Sequence, residues 1–103
     1  RGDFGSGAVE DLGSDDVFIA LVEYGADCVG TALFAAQGLP RRIGMRAFNR
    51  RSLQRTLDGQ CGVQLFFTEG GRAFCLYVVL GRDTDIAPLV DRVHAALAGV
   101  QIR

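Results

Sequence analysis

A chain of 103 residues is one domain's worth of sequence, and with 49% hydrophobic and 22% charged residues it is globular rather than disordered. It holds no apolar run near the roughly eighteen residues a membrane-spanning helix requires, which excludes such a helix within these limits. Net charge is only −1 but is segregated: residues 1–27 carry seven acids against Arg1, and residues 28–57 carry six arginines and no acid.

All eleven basic residues are arginine, which together with fourteen glycines resembles the coding bias of a high-GC genome. An arginine here can therefore stand where another genome would write a solvated lysine. The chain begins at Arg1 with no apolar leader-like stretch, which reads as a processed product or a fragment.

In chain order, residues 1–15 form an irregular acidic segment with at most one helical turn around Ala8–Leu12, and residues 16–103 form a single α+β domain. The tripeptide Arg1-Gly2-Asp3 matches an integrin-binding motif, but chance explains it in a terminus this rich in those residues. Val17–Tyr24 (VFIALVEY) is β-branched and aromatic and apolar on both faces, which predicts an interior strand covered on both sides. Thr31–Pro40 (TALFAAQGLP) carries a helix signal, with Thr31 as cap, Gly38 as stop and Leu33 and Phe34 toward the core.

The run Arg41–Arg55, RRIGMRAFNRRSLQR, then splits into a loop and a helix start. Asn49 is placed to cap, and Phe48 and Leu53 to form a hydrophobic staple. At helical spacing Leu53 and Leu57 share one side and Arg51 and Arg55 lie opposite, an amphipathic helix of about two to three turns.

Residues 61–80 read as a β-hairpin, with GVQLFFTE and AFCLYVVL joined at Gly70-Gly71-Arg72. A C-terminal helix over about 86–98 follows, with Leu89, Val93 and Leu97 every four residues, Asp83 and Asp85 as cap candidates and Gly99 as its stop. Val100 and Ile102 suggest a last short strand. The expectation is an α+β domain whose mainly antiparallel sheet, with its central hairpin, packs against two to three helices.

DVFIALVEYG, LFFTEGGRAFCLYVVLG and IAPLVDRVHAALAGVQI look similar to small uncharacterised actinobacterial proteins. The order of a two-faced strand, a hairpin and a C-terminal helix with an apolar tail more distantly resembles the PsbP-like fold, over roughly residues 16–103. That fold includes an extrinsic photosystem subunit and a Ran-binding nuclear import factor. The resemblance implies a binding or assembly module and transfers no functional residue.

Chemistry-bearing residues are few. Cys28, Cys61 and Cys75 form no C-x-x-C pair, and His94 is the sole imidazole, so neither a metal set nor a cofactor site emerges from spacing. A cysteine-dependent enzyme would need His94 beside Cys75 or Cys61. Structural thiols and a half-buried packing histidine are the simpler account, and unpaired cysteines point to a cytoplasmic location. Asp15/Asp16 and Asp83/Asp85 sit before regular elements, where aspartate caps and solvates turns.

This leaves Arg41, Arg42, Arg46, Arg50, Arg51 and Arg55 as a partner-binding surface. Guanidinium forks suit an acidic protein surface, a second copy of the chain through its acidic segment, or nucleic acid. A sequence pI of about 5.7 and the lone aromatic Phe48 within the run weigh against nucleic acid. The competing account is a solvated face that pairs with residues 1–27.

Overall fold

The computed structural model describes residues 11–52 and 59–102. Its regular elements are β1 (Val17–Glu23), β2 (Cys61–Glu69), β3 (Arg72–Leu80) and α1 (Ala87–Ala98), with four single 3-10 turns between β1 and β2. The strands form one antiparallel sheet in the order β1-β3-β2, backed by α1, so the α+β class read from the sequence is what the structure shows.

The hairpin turns through Gly70 and Gly71, at φ 61° and 74°. Two successive positive φ values match the right-handed twist of the flanking strands, and only glycine adopts both without penalty. This register sets Phe67 opposite Phe74, with their rings stacked at 5.4 Å. On that face of the sheet Val63, Phe67, Leu76, Val78 and Leu80 pack with Leu89, Val90, Val93 and Leu97 of α1. On the other face Tyr77 and Val79 are covered by Leu12, Phe18 and Ala20.

β1 departs from expectation. Among the described residues it is an edge strand, bonded to β3 alone, and none of its residues is fully buried; the interior strand is β3, buried from Ala73 to Leu80. Two apolar faces report cover above and below a strand and say nothing about its lateral neighbours.

Thr31–Pro40 is not an α-helix. Ala32–Phe34 makes one 3-10 turn, and the chain then extends so that Ala36 and Gly38 bond the carbonyl-and-amide pair of Thr68. The Thr31 hydroxyl donates to the Cys28 carbonyl instead of capping, and Leu33 is 60% exposed. Phe34 is buried as expected, against Tyr24 and Phe66, and the Thr68 hydroxyl donates to its carbonyl. Long-range bonds to the sheet edge outcompete local helix propensity here.

The helix expected after Asn49 begins as a 3-10 turn, Arg50–Ser52; Leu53, Arg55 and Leu57 lie outside the described residues. The turn around Ala8–Leu12 lies mostly outside them as well. α1 starts at Ala87 with Ile86 in the cap position, so Asp83 and Asp85 do not cap it. Val100 and Ile102 form no strand, yet pack partly buried against the core.

The acidic end of the chain is tied to arginines remote from the 41–55 run. Arg72 forks onto Glu23 at 2.7 and 2.9 Å, and that hydrogen bond holds the Glu23 carboxyl below the usual carboxylate range. Arg82 meets Asp15 at 2.6 Å, and Arg92 donates to the Asp15 carbonyl.

Candidate partner-binding surface

Residues 41–52 have no regular structure beyond the turns Met45–Ala47 and Arg50–Ser52, yet the segment is held at several points. Ile43 and Phe48 are buried in the main core. The Ile43 N–H donates to His94 Nε2 at 2.9 Å, and the Arg41 guanidinium donates to the carbonyl of Leu97. At the far end Asn49 and Gly62 exchange backbone bonds, both 2.9 Å, which joins the segment to the outer edge of β2.

These anchors sort the arginines. Arg41 turns back onto the last turn of α1, where its cation joins the Val100 N–H on the Leu97 carbonyl and complements the helix dipole. Arg42, Arg46, Arg50 and Arg51 are exposed, and Met45 among them is 53% exposed. Arg42, Arg46 and Arg51 form no ion pair with a described residue. Arg55 lies outside the described residues. The fixed part of the run is therefore its apolar and backbone groups, and the charge points outward.

His94 is more than packing. The Ile43 N–H donates to Nε2, an arrangement that calls for the ring proton on Nδ1. The Ile43 carbonyl lies 3.1 Å from the same nitrogen. We expect the Nδ1–H tautomer in the nitrogen shifts of the neutral ring. His94→Ala should cost about 1–2 kcal/mol in chemical denaturation, the penalty for a buried amide left unpaired.

Two of the three thiols have hydrogen-bond partners of their own. Cys61 donates to the Arg82 carbonyl, and burial followed by the Asp83 charge raises its pKa. Cys75 is fully buried in β3, and burial pushes its thiol up to about 11, partly offset by a Leu65 backbone hydrogen bond. No hydrogen bond joins His94 to a cysteine, all four residues being described. Thiol labelling of the folded protein should modify Cys28 first and leave Cys75 unreacted until unfolding.

The sign of the Cys75 effect on stability follows. A thiol raised from its ordinary value of 9.0 to about 11 keeps its proton in the folded state while the unfolded chain loses it. The stabilisation is complete below about pH 9 and is lost as pH rises toward 11, on the order of 2–3 kcal/mol. Cys75→Ala should flatten that alkaline slope.

A shallow hollow of about 380 Å³ lies under the Ala32–Phe34 turn, lined by Val29, Thr31, Phe34, Gln37 and Thr68 among others. Sequence reading gave no sign of it, because it forms only when the chain after Phe34 extends along Thr68. The hydroxyls of Thr31 and Thr68 are already donated to backbone carbonyls, so the hollow presents mostly apolar surface.

No helix among the described residues is long and apolar enough to cross a membrane. No family model, curated protein or solved structure matches this chain.

Proposed function

We propose that this is a non-enzymatic binding or assembly domain that engages an acidic protein surface through Arg42, Arg46, Arg50 and Arg51, with Arg55 in the same run, and acts in the reducing environment of the cytoplasm. The observation that carries this is the placement of Arg42, Arg46 and Arg51: exposed and without an ion pair among the described residues, on a segment pinned by Ile43, Phe48 and Asn49. Asp15 and Glu23, acids of the N-terminal segment, are committed to Arg82 and Arg72 instead. An anchored backbone lowers the ordering cost of binding, so that cost falls mainly on the arginine side chains. The PsbP-like resemblance, whose members act as binding or assembly modules, agrees with this reading on element order alone.

The test is anisotropy of a labelled polyglutamate peptide at about 50 mM and about 500 mM salt, over which the Debye length shrinks roughly threefold. Affinity should fall at least tenfold across that range. Absence of binding at low salt removes the proposal. Tighter binding to mixed-sequence DNA, with a log–log salt slope near −3.6 for about four phosphate contacts, would assign the surface to nucleic acid instead.

A further inference from the structure

The two edges of the sheet are finished differently. On β2, the outer backbone is met at Thr68 by Ala36 and Gly38 and at Gly62 by Asn49. On β1, the Tyr24 N–H bonds the Ala73 carbonyl and the Asp16 carbonyl accepts from Gly81, so the even-numbered residues between them face β3. Antiparallel alternation then turns the N–H and C=O of Val17, Ile19, Leu21 and Glu23 outward. None of these groups bonds a described residue outside the sheet. The strand VFIALVE carries no proline, glycine, lysine or arginine, the residues that ordinarily blunt an open edge, and Leu21 on it is 38% exposed.

We propose that β1 is the interface to a second copy of this chain, paired antiparallel across a two-fold axis at Ala20 to give a continuous six-stranded sheet, β2-β3-β1-β1-β3-β2. This surface is separate from the arginine run and independent of the function proposed for it.

The sequence of β1 selects that register. With Ala20 on the axis, Ile19 of each copy exchanges both backbone bonds with Leu21 of the other, and Val17 does so with Glu23. Every outward group of the strand is then used. Ala20 faces its own copy at the close, non-hydrogen-bonded position, where Cα atoms approach to about 4.5 Å and a small side chain is needed. Phe18 falls opposite Val22, a favourable aromatic and β-branched pair, and Leu21 is covered by Ile19.

Centring the pair on Ile19 would instead set Glu23 opposite Asp15, like charges that oppose each other, and leave outward groups of the strand without partners inside it. A shift of one residue would turn the helix-packed face of one copy to the opposite side of the other. In the favoured register the strand's sole charge, Glu23, meets Val17 and keeps its bond to Arg72.

Sedimentation equilibrium from about 1 µM to about 500 µM covers weak and moderate dimer affinities. The full chain should be a monomer–dimer system whose dissociation constant changes less than about threefold in high salt, because backbone pairing is not screened. Leu21→Lys should raise that constant at least tenfold with the far-UV spectrum unchanged. In a Cys28→Ser background, Ala20→Cys should form an intermolecular disulfide on mild oxidation, since about 4.5 Å between Cα atoms suits one, whereas Val22→Cys should not. A monomer at every concentration, or Ala20→Cys that fails to cross-link, overturns the proposal. A dimer that dissociates in salt also overturns it, and assigns self-association to the arginine surface.

Discussion

Replacing Gly81 with alanine should destabilise the domain by about 2–4 kcal/mol, the range of a steric clash with fixed backbone. Gly81 ends β3, and a Cβ there would stand 1.8 Å from the Gly13 carbonyl oxygen and 3.1 Å from that of Asp16. Both atoms belong to the turn that leads into β1. The turn is closed by Asp16 N–H on the Gly13 carbonyl, and the Gly81 N–H bonds Asp16 at 2.9 Å. Displacing it costs that bond, loosens the Arg82–Asp15 pair and lifts Leu12 from Tyr77 and Val79. Gly44→Ala is the control: its Cβ meets nothing within 4 Å and its φ is −66°, so a change within about 0.5 kcal/mol is expected. Denaturant midpoints of the two variants decide the point, and equal midpoints would contradict it.

Phe67→Ala should cost about 3–5 kcal/mol, a large share of the roughly 5–15 kcal/mol that holds a domain of this kind together. The ring is fully buried, stacks on Phe74 across the hairpin and belongs to the cluster shared with α1. Neighbours fixed by two strands and a helix cannot close the void. Leu33→Ala also truncates a large apolar side chain, but one already 60% exposed, and should change stability by less than about 0.5 kcal/mol. Sequence hydrophobicity alone ranks these two positions as near equals; burial separates them.

The parts of the fold legible in the sequence are those specified by local pattern. Gly70-Gly71 between two apolar runs allows a tight hairpin and little else, and Leu89, Val93 and Leu97 mark one face of a helix that ends at Gly99. The parts that were not legible depend on distant partners. Alanine-rich Thr31–Pro40 favours a helix in isolation, but Thr68 offers both backbone groups to Ala36 and Gly38. β1 shows its two apolar faces, and not that β3 is its one strand neighbour among the described residues.

The candidate site divides in the same way. Arg41 and Arg42 are adjacent, exposed and chemically identical, and what separates them is the Leu97 carbonyl, 56 positions away, which accepts a hydrogen bond from Arg41. His94 lies beside the buried stripe of α1, as its spacing implies. Its acceptor role requires Ile43, 51 positions away, to present an N–H. Charge segregation along the chain allows two readings of the 41–55 arginines, an external partner or pairing with the N-terminal acids. Asp15 and Glu23 pair with Arg82 and Arg72, which the sheet and the β3–α1 loop place beside them.

Neutralising Arg42 and Arg46 together tests the proposed surface most directly. Arg42→Gln/Arg46→Gln and Thr84→Glu/Ala87→Glu change net charge equally, the second pair at exposed positions at the start of α1, the end away from the His94 and Leu97 contacts with the arginine segment. Measured by anisotropy against the same polyglutamate peptide at low salt, the arginine variant should bind at least tenfold more weakly, about 1.4 kcal/mol. The α1 variant should stay within about threefold of wild type, as expected for charges outside the contact. Equal weakening of both would mean that net charge alone governs binding, and would contradict a surface built on the anchored arginine segment.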